Sequence, residues 1–395
     1  MNKSIEAALR EEIDKLNKDG LFKNEHILEV PQRVEIIVQG KKVINFCANN
    51  YLGLSNHPDL LAAAKETIQE WGYGLASVRF ICGTQTIHKK LEQALSDFIG
   101  TEDTILFSSC FDANCGLFET ITTGQDAIFT DKLNHASLID GIKLSKAKRF
   151  VFEHSNMDDL EKYLQSAIYS RRKIIVTDGV FSMDGEIADL PSICKLAKKY
   201  DALVVVDDSH ATGILGTTGR GTPEFHGVAD KIDIITSTLG KALGGATGGF
   251  TAGRKEVIDY LRQRSRPYLF SNSLAPVIVG TTLKVLQMIS VDDSFRERLQ
   301  QNTAYARQRL MDAGLDIKPG IHPIIPVMLY DAVTTQKMAV RLFELGVYVT
   351  GFVYPVVPME QARIRIQISA AHTRDQLDRL ITAFQKANAE MTSGS

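Results

Sequence analysis

Cysteines are few in this 395-residue chain and follow no pattern. There are five of them, an odd number, and no C-x-x-C pair occurs. Scattered cysteines give neither a disulfide framework nor the ligand spacing of a structural zinc site. We therefore expect no metal, and we expect a reducing, cytoplasmic environment.

The chain also lacks long apolar runs and an excess of either charge. No apolar stretch approaches the roughly 20 residues that a membrane-spanning helix needs. A net charge of −2 gives no reason to propose nucleic acid or an anionic membrane as a partner. Residues 1 to about 20 are charged, with apolar positions at helical spacing and Gly20 as the expected stop. They predict an amphipathic helix and lack the apolar core of a signal peptide.

Two nucleotide-binding fingerprints are missing as well. Neither G-x-G-x-x-G nor G-x-x-x-x-G-K-[ST] occurs, so the sequence predicts neither a dinucleotide site nor a P-loop. Strand and helix patterns nevertheless alternate from about residue 100 to residue 253. That alternation predicts a mostly parallel sheet covered by helices on both faces.

The length predicts more than one domain, since 395 residues exceed what one hydrophobic core usually serves. We expect residues 1–50 to form an N-terminal helix and hairpin arm, and residues 51–290 a large domain. Residues 291–395 would form a smaller C-terminal domain, with the boundary near a long helix predicted at 292–313.

One lysine stands in a segment of small residues, IDIITSTLGKALGGATGG, at 232–249. The apolar start, 232–235, predicts a buried strand, three hydroxyl residues follow, and four glycines come after Lys241. An amine with few neighbours suits a covalent imine with a flat ligand. A surface lysine in a flexible loop is the alternative, and the segment alone favours that alternative.

A second segment, LVVVDDSHA at 203–211, changes this interpretation. Its apolar strand ends in Asp207 and His210, at the strand end where open α/β sheets bind ligands. An ionised Asp207 can keep a pyridine nitrogen protonated. A lysine for the imine and an aspartate for the ring nitrogen are what a pyridoxal phosphate (PLP) site requires. Alternatively, Asp208 or Ser209 caps a helix after the strand.

The motifs VVVDDSHATG and TSTLGKALGG resemble those of the α-oxoamine synthases, which are PLP-dependent enzymes. The resemblance covers nearly the whole chain, through NFCANNYLGL, GLASVRFICGTQ, SSCFDAN, LNHASLIDG, TDGVFSMDG, RSRPYLFSNSLAP and ARIRIQISAAHT. It implies an α/β fold, the PLP-dependent transferase fold type I. Such a fold has a large domain with a mostly parallel seven-stranded sheet and a smaller C-terminal α/β domain. It also implies a homodimer.

The resemblance assigns roles to individual residues. Those implied to be catalytic are Lys241, His135, Asp207 and His210. Those implied to bind the cofactor are Cys110, Phe111, His135, Ser182, Asp207, His210, Thr238, Lys241, Ser271 and Asn272. Of these, Cys110 and Phe111 would hold the phosphate, while Ser271 and Asn272 would reach the cofactor of the partner subunit. Those implied to bind substrate are Asn49, His135 and Arg365.

Several of these residues also have plain structural interpretations. Asn49 would satisfy backbone in a turn, Cys110 would be an inert buried thiol, and Ser182 would be a turn hydroxyl. His135 taken alone would be a structural histidine. For the arginines of ARIRIQ, the structural alternative is an exposed side chain on an edge strand. This alternative fits Arg363 better than Arg365.

For function, the resemblance implies condensation of glycine with acetyl-CoA to 2-amino-3-oxobutyrate and CoA. The reverse direction would be a step in threonine breakdown. One alternative is a related enzyme with another substrate pair, such as alanine with a pimeloyl thioester in 8-amino-7-oxononanoate synthesis. Another is a catalytically silent relative that acts as a binding subunit. Retention of Lys241, Asp207, His210 and His135 together argues against the silent relative.

Overall fold

The structure is a computed structural model that describes residues 3–18, 21–23 and 25–393. Gly20, the expected stop of the first helix, lies outside the described residues. The described strands are, in chain order, β1 Glu35–Val38, β2 Lys41–Asn45, β3 Asp103–Phe107, β4 Ala127–Asp131, β5 Lys148–Phe152, β6 Lys173–Asp178, β7 Ala202–Asp207, β8 Ile234–Thr238, β9 Gly249–Gly253, β10 Ile324–Tyr330, β11 Val347–Tyr348, β12 Thr350–Phe352 and β13 Ala362–Gln367.

The α-helices alternate with these strands through much of the chain. They are α1 Lys3–Lys18, α2 Pro58–Trp71, α3 Thr86–Ile99, α4 Cys110–Ile121, α5 Ala136–Leu144, α6 Met157–Ser166, α7 Leu190–Tyr200, α8 Thr222–Phe225, α9 Lys255–Arg264, α10 Arg266–Phe270, α11 Pro276–Val291, α12 Ser294–Asp312, α13 Ala332–Glu344 and α14 Arg374–Ser393. None of the helices in the described part of the chain is long and apolar enough to cross a membrane.

The largest sheet has seven strands in the order β3-β9-β8-β7-β6-β4-β5. All neighbouring pairs are parallel except the two that involve β9, which runs against both β3 and β8. Successive residues of β7 pack into different apolar clusters. Val204 and Val206 belong to one cluster, and Val205 belongs to another. This two-sided burial is what a parallel sheet between helices requires, and it confirms the predicted fold class.

The topology brings the polar strand ends together. β3, β4, β6, β7 and β8 all run in one direction, so their carboxyl ends meet at one edge of the sheet. Asp178 and Asp207 are the last residues of adjacent strands, and the loops after β4 and β8 carry His135 and Lys241. The sheet therefore supplies the common frame for the residues that the sequence singles out.

Two three-stranded sheets lie outside this frame, in the orders β10-β13-β12 and β1-β2-β11. In the second sheet the N-terminal hairpin pairs with β11 from the C-terminal part of the chain. Gln39 and Gly40 both have positive φ at the hairpin turn, which lies where the sequence predicts it. The division into residues 1–50, 51–290 and 291–395 stays a prediction.

Two local predictions are wrong, and one helix is absent from the predictions. The strand predicted at 232–235 is β8, Ile234–Thr238, and it includes the hydroxyl residues because Thr236 and Ser237 donate to side chains inside the core. The long helix predicted at 292–313 is confirmed as α12, whereas the helix before it, α11, has no counterpart among the predictions. Arg363 is not exposed: β13 is the central strand of its sheet, and Arg363 forms a buried ion pair with Asp184.

Candidate active site

A cavity of about 220 Å³ lies at the carboxyl edge of the large sheet. Eight of the residues that the sequence singles out line it, namely Cys110, Phe111, His135, Ser182, Asp207, His210, Thr238 and Lys241. The other lining residues, for which the sequence predicts no contact with a ligand, are Ser109, Ser137, Asp178, Val180 and Ser209. The cavity is therefore the candidate active site.

Lys241 enters the cavity from the loop after β8. The turn that carries it is fixed by the Gly240 amide, which donates to Thr238 Oγ1 at 3.0 Å. Within the described residues, the Lys241 ammonium has no hydrogen-bond or ion-pair partner. Burial lowers the pKa of Lys241, while the nearby Asp207 charge opposes that shift. A buried amine with a lowered pKa gives up its proton more readily than an ordinary lysine, which suits covalent and base chemistry.

Asp207 is held from two sides at the end of β7. Its Oδ2 accepts a hydrogen bond from Asn114 Nδ2 at 2.7 Å, and its Oδ1 accepts from the Ser209 amide at 3.0 Å. Asn114 is oriented in turn by Thr236, whose Oγ1 donates to Asn114 Oδ1 at 2.8 Å. These bonds hold the carboxylate in one orientation. Asn114 was missed from the sequence, although it lies one helical turn after Cys110 in the SSCFDAN motif.

The alternative role for this segment, a helix cap, is not what the structure shows. Turns rather than a helix occupy residues 209–219. The Asp208 carboxylate instead accepts from the Thr222 amide at 3.1 Å, at the start of α8. Burial raises the pKa of Asp208 to about 7. Asp208 is thus a buried structural group that points away from the neighbouring Asp207 site.

His135 both caps a helix and faces the cavity. As the N-cap of α5, its Nδ1 accepts from the Ser137 amide at 3.2 Å, and its own amide donates to Asp178 Oδ2 at 3.0 Å. Burial lowers the pKa of His135, so the ring is neutral near pH 7. His135 therefore has a structural role, and its contact with a flat ligand stays a prediction.

The N-terminus of α4 forms one end of the cavity. Ser109 caps this helix by accepting from the Asp112 amide at 3.0 Å, and Cys110 and Phe111 follow in the first turn. Gly249 packs so closely beside Cys110 that any Cβ would meet its backbone nitrogen. Such a helix start is suited to a phosphate. Burial raises the pKa of the Cys110 thiol well above its usual value, which makes the side chain an inert thiol.

Two of the three predicted substrate residues, Arg365 and Asn49, are not part of the cavity lining. Arg365 Nη1 donates to the carbonyl of Ser182 at 2.9 Å, and its guanidinium lies 4.6 Å from the Phe352 ring centre. No carboxylate pairs with Arg365 within the described ranges. Asn49 Oδ1 accepts from Gln367 Nε2 at 2.7 Å. Arg365 therefore keeps donors for a carboxylate, whereas the Asn49 oxygen already has a partner.

Ser271 and Asn272 do not reach the cavity of their own chain. They lie in the loop between α10 and α11, where Asn272 pairs with Val78 in an isolated bridge. That places them outside a helix, as predicted. Phe270 and Phe80 are both well exposed on these two segments. Their proposed role in a partner subunit stays a prediction.

The residues present fit a PLP molecule. A partnerless lysine, an oriented carboxylate and an uncovered helix start lie around one cavity, and they match the aldehyde, the ring nitrogen and the phosphate of PLP. Among the described residues no cluster of histidine, cysteine and carboxylate side chains could hold a metal. The fold and this site define a PLP-dependent enzyme of fold type I.

Comparisons with known proteins agree with this class. The sequence model of a family described as aminotransferase class I and II matches residues 41–384. The 2-amino-3-ketobutyrate coenzyme A ligase of Escherichia coli K12 is 56% identical over 386 residues, which is 97% of each chain. The 8-amino-7-oxononanoate synthase of Thermosipho melanesiensis is 45% identical over 380 residues, covering 96% of this chain and 97% of that protein.

Solved structures give the same result. A serine palmitoyltransferase from S. paucimobilis, solved with a bound PLP–myriocin aldimine, superposes with a TM-score of 0.93. It is 31% identical, and the match covers all of both chains. The chain belongs to the aminotransferase class I and II family and, within it, to the α-oxoamine synthases.

Proposed function

We propose that this protein holds PLP on Lys241 and condenses glycine with acetyl-CoA, giving 2-amino-3-oxobutyrate and CoA. The observation that carries the proposal is 56% identity, over nearly the whole chain, to a relative named for 2-amino-3-ketobutyrate and coenzyme A. The cavity supports it, because Lys241 and Asp207 line it together. In the reverse direction the same residues would cleave the product.

PLP supplies an aldehyde carbon for an amine and a protonated ring that accepts electrons. Lys241 would bind that carbon and later, as a free amine, take the α-proton of glycine. Asp207 would keep the ring nitrogen protonated. His135 would cover one face of the ring, and His210, Ser182 and Thr238 would contact its remaining polar groups. Cys110 and Phe111 would hold the phosphate through backbone amides, with Arg365 and Asn49 on the substrate carboxylate.

A screen of substrate pairs tests the reaction. The purified protein would be assayed for free-thiol release with glycine, alanine or serine against acetyl, pimeloyl and palmitoyl thioesters. We expect glycine with acetyl-CoA to give the highest kcat/KM. The 45% identical relative named 8-amino-7-oxononanoate synthase makes alanine with the pimeloyl thioester the second candidate. A preference for that pair would replace our proposal, and no release with any pair would favour a silent relative.

Replacing Arg365 with lysine tests the substrate carboxylate site. Lysine keeps the charge but loses the planar two-pronged grip on a carboxylate. We expect the KM for glycine to rise by about tenfold, the size of one charge-assisted hydrogen bond, with the KM for acetyl-CoA unchanged. Arg363→Lys, on the same strand but paired with Asp184, is the control that should change stability rather than glycine binding. Equal effects on both substrates would remove Arg365 from this role.

We also propose that the protein works as a homodimer in the cytoplasm, with active sites built from both subunits. Large apolar side chains are exposed beside the 271–272 loop, namely Phe270, Phe80 and Ile81. Such a patch is typical of a subunit interface. Within the described residues all five cysteines are free, which is consistent with a reducing compartment.

A mixing experiment tests the shared site. One chain carries Lys241→Ala, and the other carries Ser271→Glu and Asn272→Glu. Each mixed dimer then has one site with an intact lysine and an intact loop. We expect activity to return on mixing, to about a quarter of wild type, because half of the dimers are mixed and each has one sound site. No recovery in proven mixed dimers would mean that the loop does not serve the partner.

A further inference from the structure

The ring of His210 has a partner that the proposed function does not use. His210 Nδ1 lies 2.8 Å from the hydroxyl oxygen of Tyr51, and the two rings meet edge to face at 6.1 Å. Tyr51 is fully buried, and it lies outside the cavity lining, whereas His210 is part of that lining. The second nitrogen, Nε2, has no partner within the part of the chain that the structure describes. Nε2 is therefore the nitrogen of His210 that can hydrogen-bond to a group in the cavity.

The direction of this hydrogen bond follows from the groups around it. Burial raises the pKa of Tyr51 and lowers the pKa of His210 well below its usual value, so a protonated phenol faces a neutral imidazole. Among the described residues, His210 Nδ1 is the one group within hydrogen-bond distance of the Tyr51 hydroxyl, and the nearby Gln367 Oε1 has no hydrogen-bond partner. If the imidazole donated instead, the buried phenol proton would have no acceptor, so the phenol donates to Nδ1.

His322 holds the backbone of the same residue. Its Nδ1 accepts from the Ile324 amide at 3.1 Å, so its Nε2 carries the proton and donates to the carbonyl of His210 at 2.8 Å. His322 is also fully buried and lies edge to face against Tyr51, at 5.7 Å between ring centres. Tyr51 and His322 thus fix both the ring and the backbone of His210.

We propose that Tyr51 is a positioning residue that keeps His210 in the tautomer with its proton on Nε2, directed at the cavity. An Nε2–H group donates to an anionic oxygen, such as a phenolate oxygen on a flat ring, whereas the other tautomer would present a lone pair and repel it. This inference rests on the proposed function for the identity of the ring, but the tautomer itself does not depend on which substrates react.

The experiment is ¹⁵N NMR of the full-length holoenzyme with labelled histidine, comparing wild type with Tyr51→Phe. The His210 signals are assigned by their loss in His210→Gln. We expect wild-type His210 to carry its proton on Nε2. We expect Tyr51→Phe to shift the population toward Nδ1 protonation and to lower kcat roughly tenfold, the order of one hydrogen bond, with the KM for glycine unchanged.

Tyr305→Phe is the matched control, since it removes one tyrosine hydroxyl that donates to Asp378 at 2.6 Å on the surface of the C-terminal region. It should leave the His210 signals and kcat as they are. Wild-type His210 with its proton on Nδ1 would overturn the proposal without any variant, and so would an unchanged tautomer in a folded Tyr51→Phe protein. If the tautomer is as expected but glycine and acetyl-CoA do not react, the proposed function fails and the assignment of Tyr51 stands.

Discussion

Lys241→Ala should remove essentially all condensation activity. The same amine would bind the cofactor and take the α-proton, so both functions are lost with one side chain. Loss of a positioned base alone costs about 10²–10⁴-fold in rate. The fold should survive, because the Lys241 amine has no partner to lose within the described residues. Thiol release from acetyl-CoA in the presence of glycine measures the effect.

Borohydride reduction of the wild-type protein gives an independent check. Peptide mapping should then find the pyridoxyl group on Lys241, and the visible absorption band should disappear. Lys255→Ala is the matched control, since this lysine lies on the surface in an ion pair with Asp259. It should keep the band and full activity. A label on any lysine other than Lys241, or substantial activity in folded Lys241→Ala, would contradict the assignment.

Much of the site could be predicted because its chemistry lies in two short segments. The 203–211 and 232–249 segments place Asp207, His210 and Lys241 at the ends of neighbouring apolar strands. Parallel pairing then requires that these ends meet, since the carboxyl ends of such strands share an edge. The sequence can therefore predict the positions of side chains that the strand ends themselves carry.

The residues that the sequence did not reveal reach the site through contacts between distant parts of the chain. Asn114 reaches Asp207 from a helix 93 positions earlier in the chain, and Tyr51 reaches His210 across 159 positions. Neither contact leaves a local pattern. In the sequence, Asn114 is an ordinary polar residue of a helix, and Tyr51 is an ordinary aromatic residue of a turn. Their roles depend on long-range packing, which spacing along the chain does not report.

The error at Arg363 has a similar cause. A strand with arginine at every second position predicts one polar, exposed face. In the structure β13 is not an edge strand, because β10 and β12 flank it, and Arg363 is buried against Asp184 from the loop after β6. A buried charge needs a partner, but the alternation of a single strand does not show whether a partner from another element is present.

Asp207→Asn should leave the fold intact and slow the chemistry by about 10²-fold or more, the usual effect of removing one preorganised electrostatic partner. The substitution keeps size and shape but removes the charge that would hold the ring nitrogen protonated. The single oxygen of an asparagine can accept from the Ser209 amide or from Asn114 Nδ2, so the variant loses one of these two hydrogen bonds. Exchange of the glycine α-proton with deuterated water, followed by NMR, measures the step in question.

The adjacent carboxylate offers a matched control for this variant. Asp208→Asn makes the same change one residue away, at a group that accepts from the Thr222 amide and lies outside the cavity lining. Because burial raises the pKa of Asp208 to about 7, the neutral amide resembles a form that is already well populated at neutral pH. We expect near-normal proton exchange in Asp208→Asn and slow exchange in Asp207→Asn, with cofactor bound in both. Fast exchange in a folded, cofactor-loaded Asp207→Asn protein would show that this carboxylate does not support the electron-accepting ring.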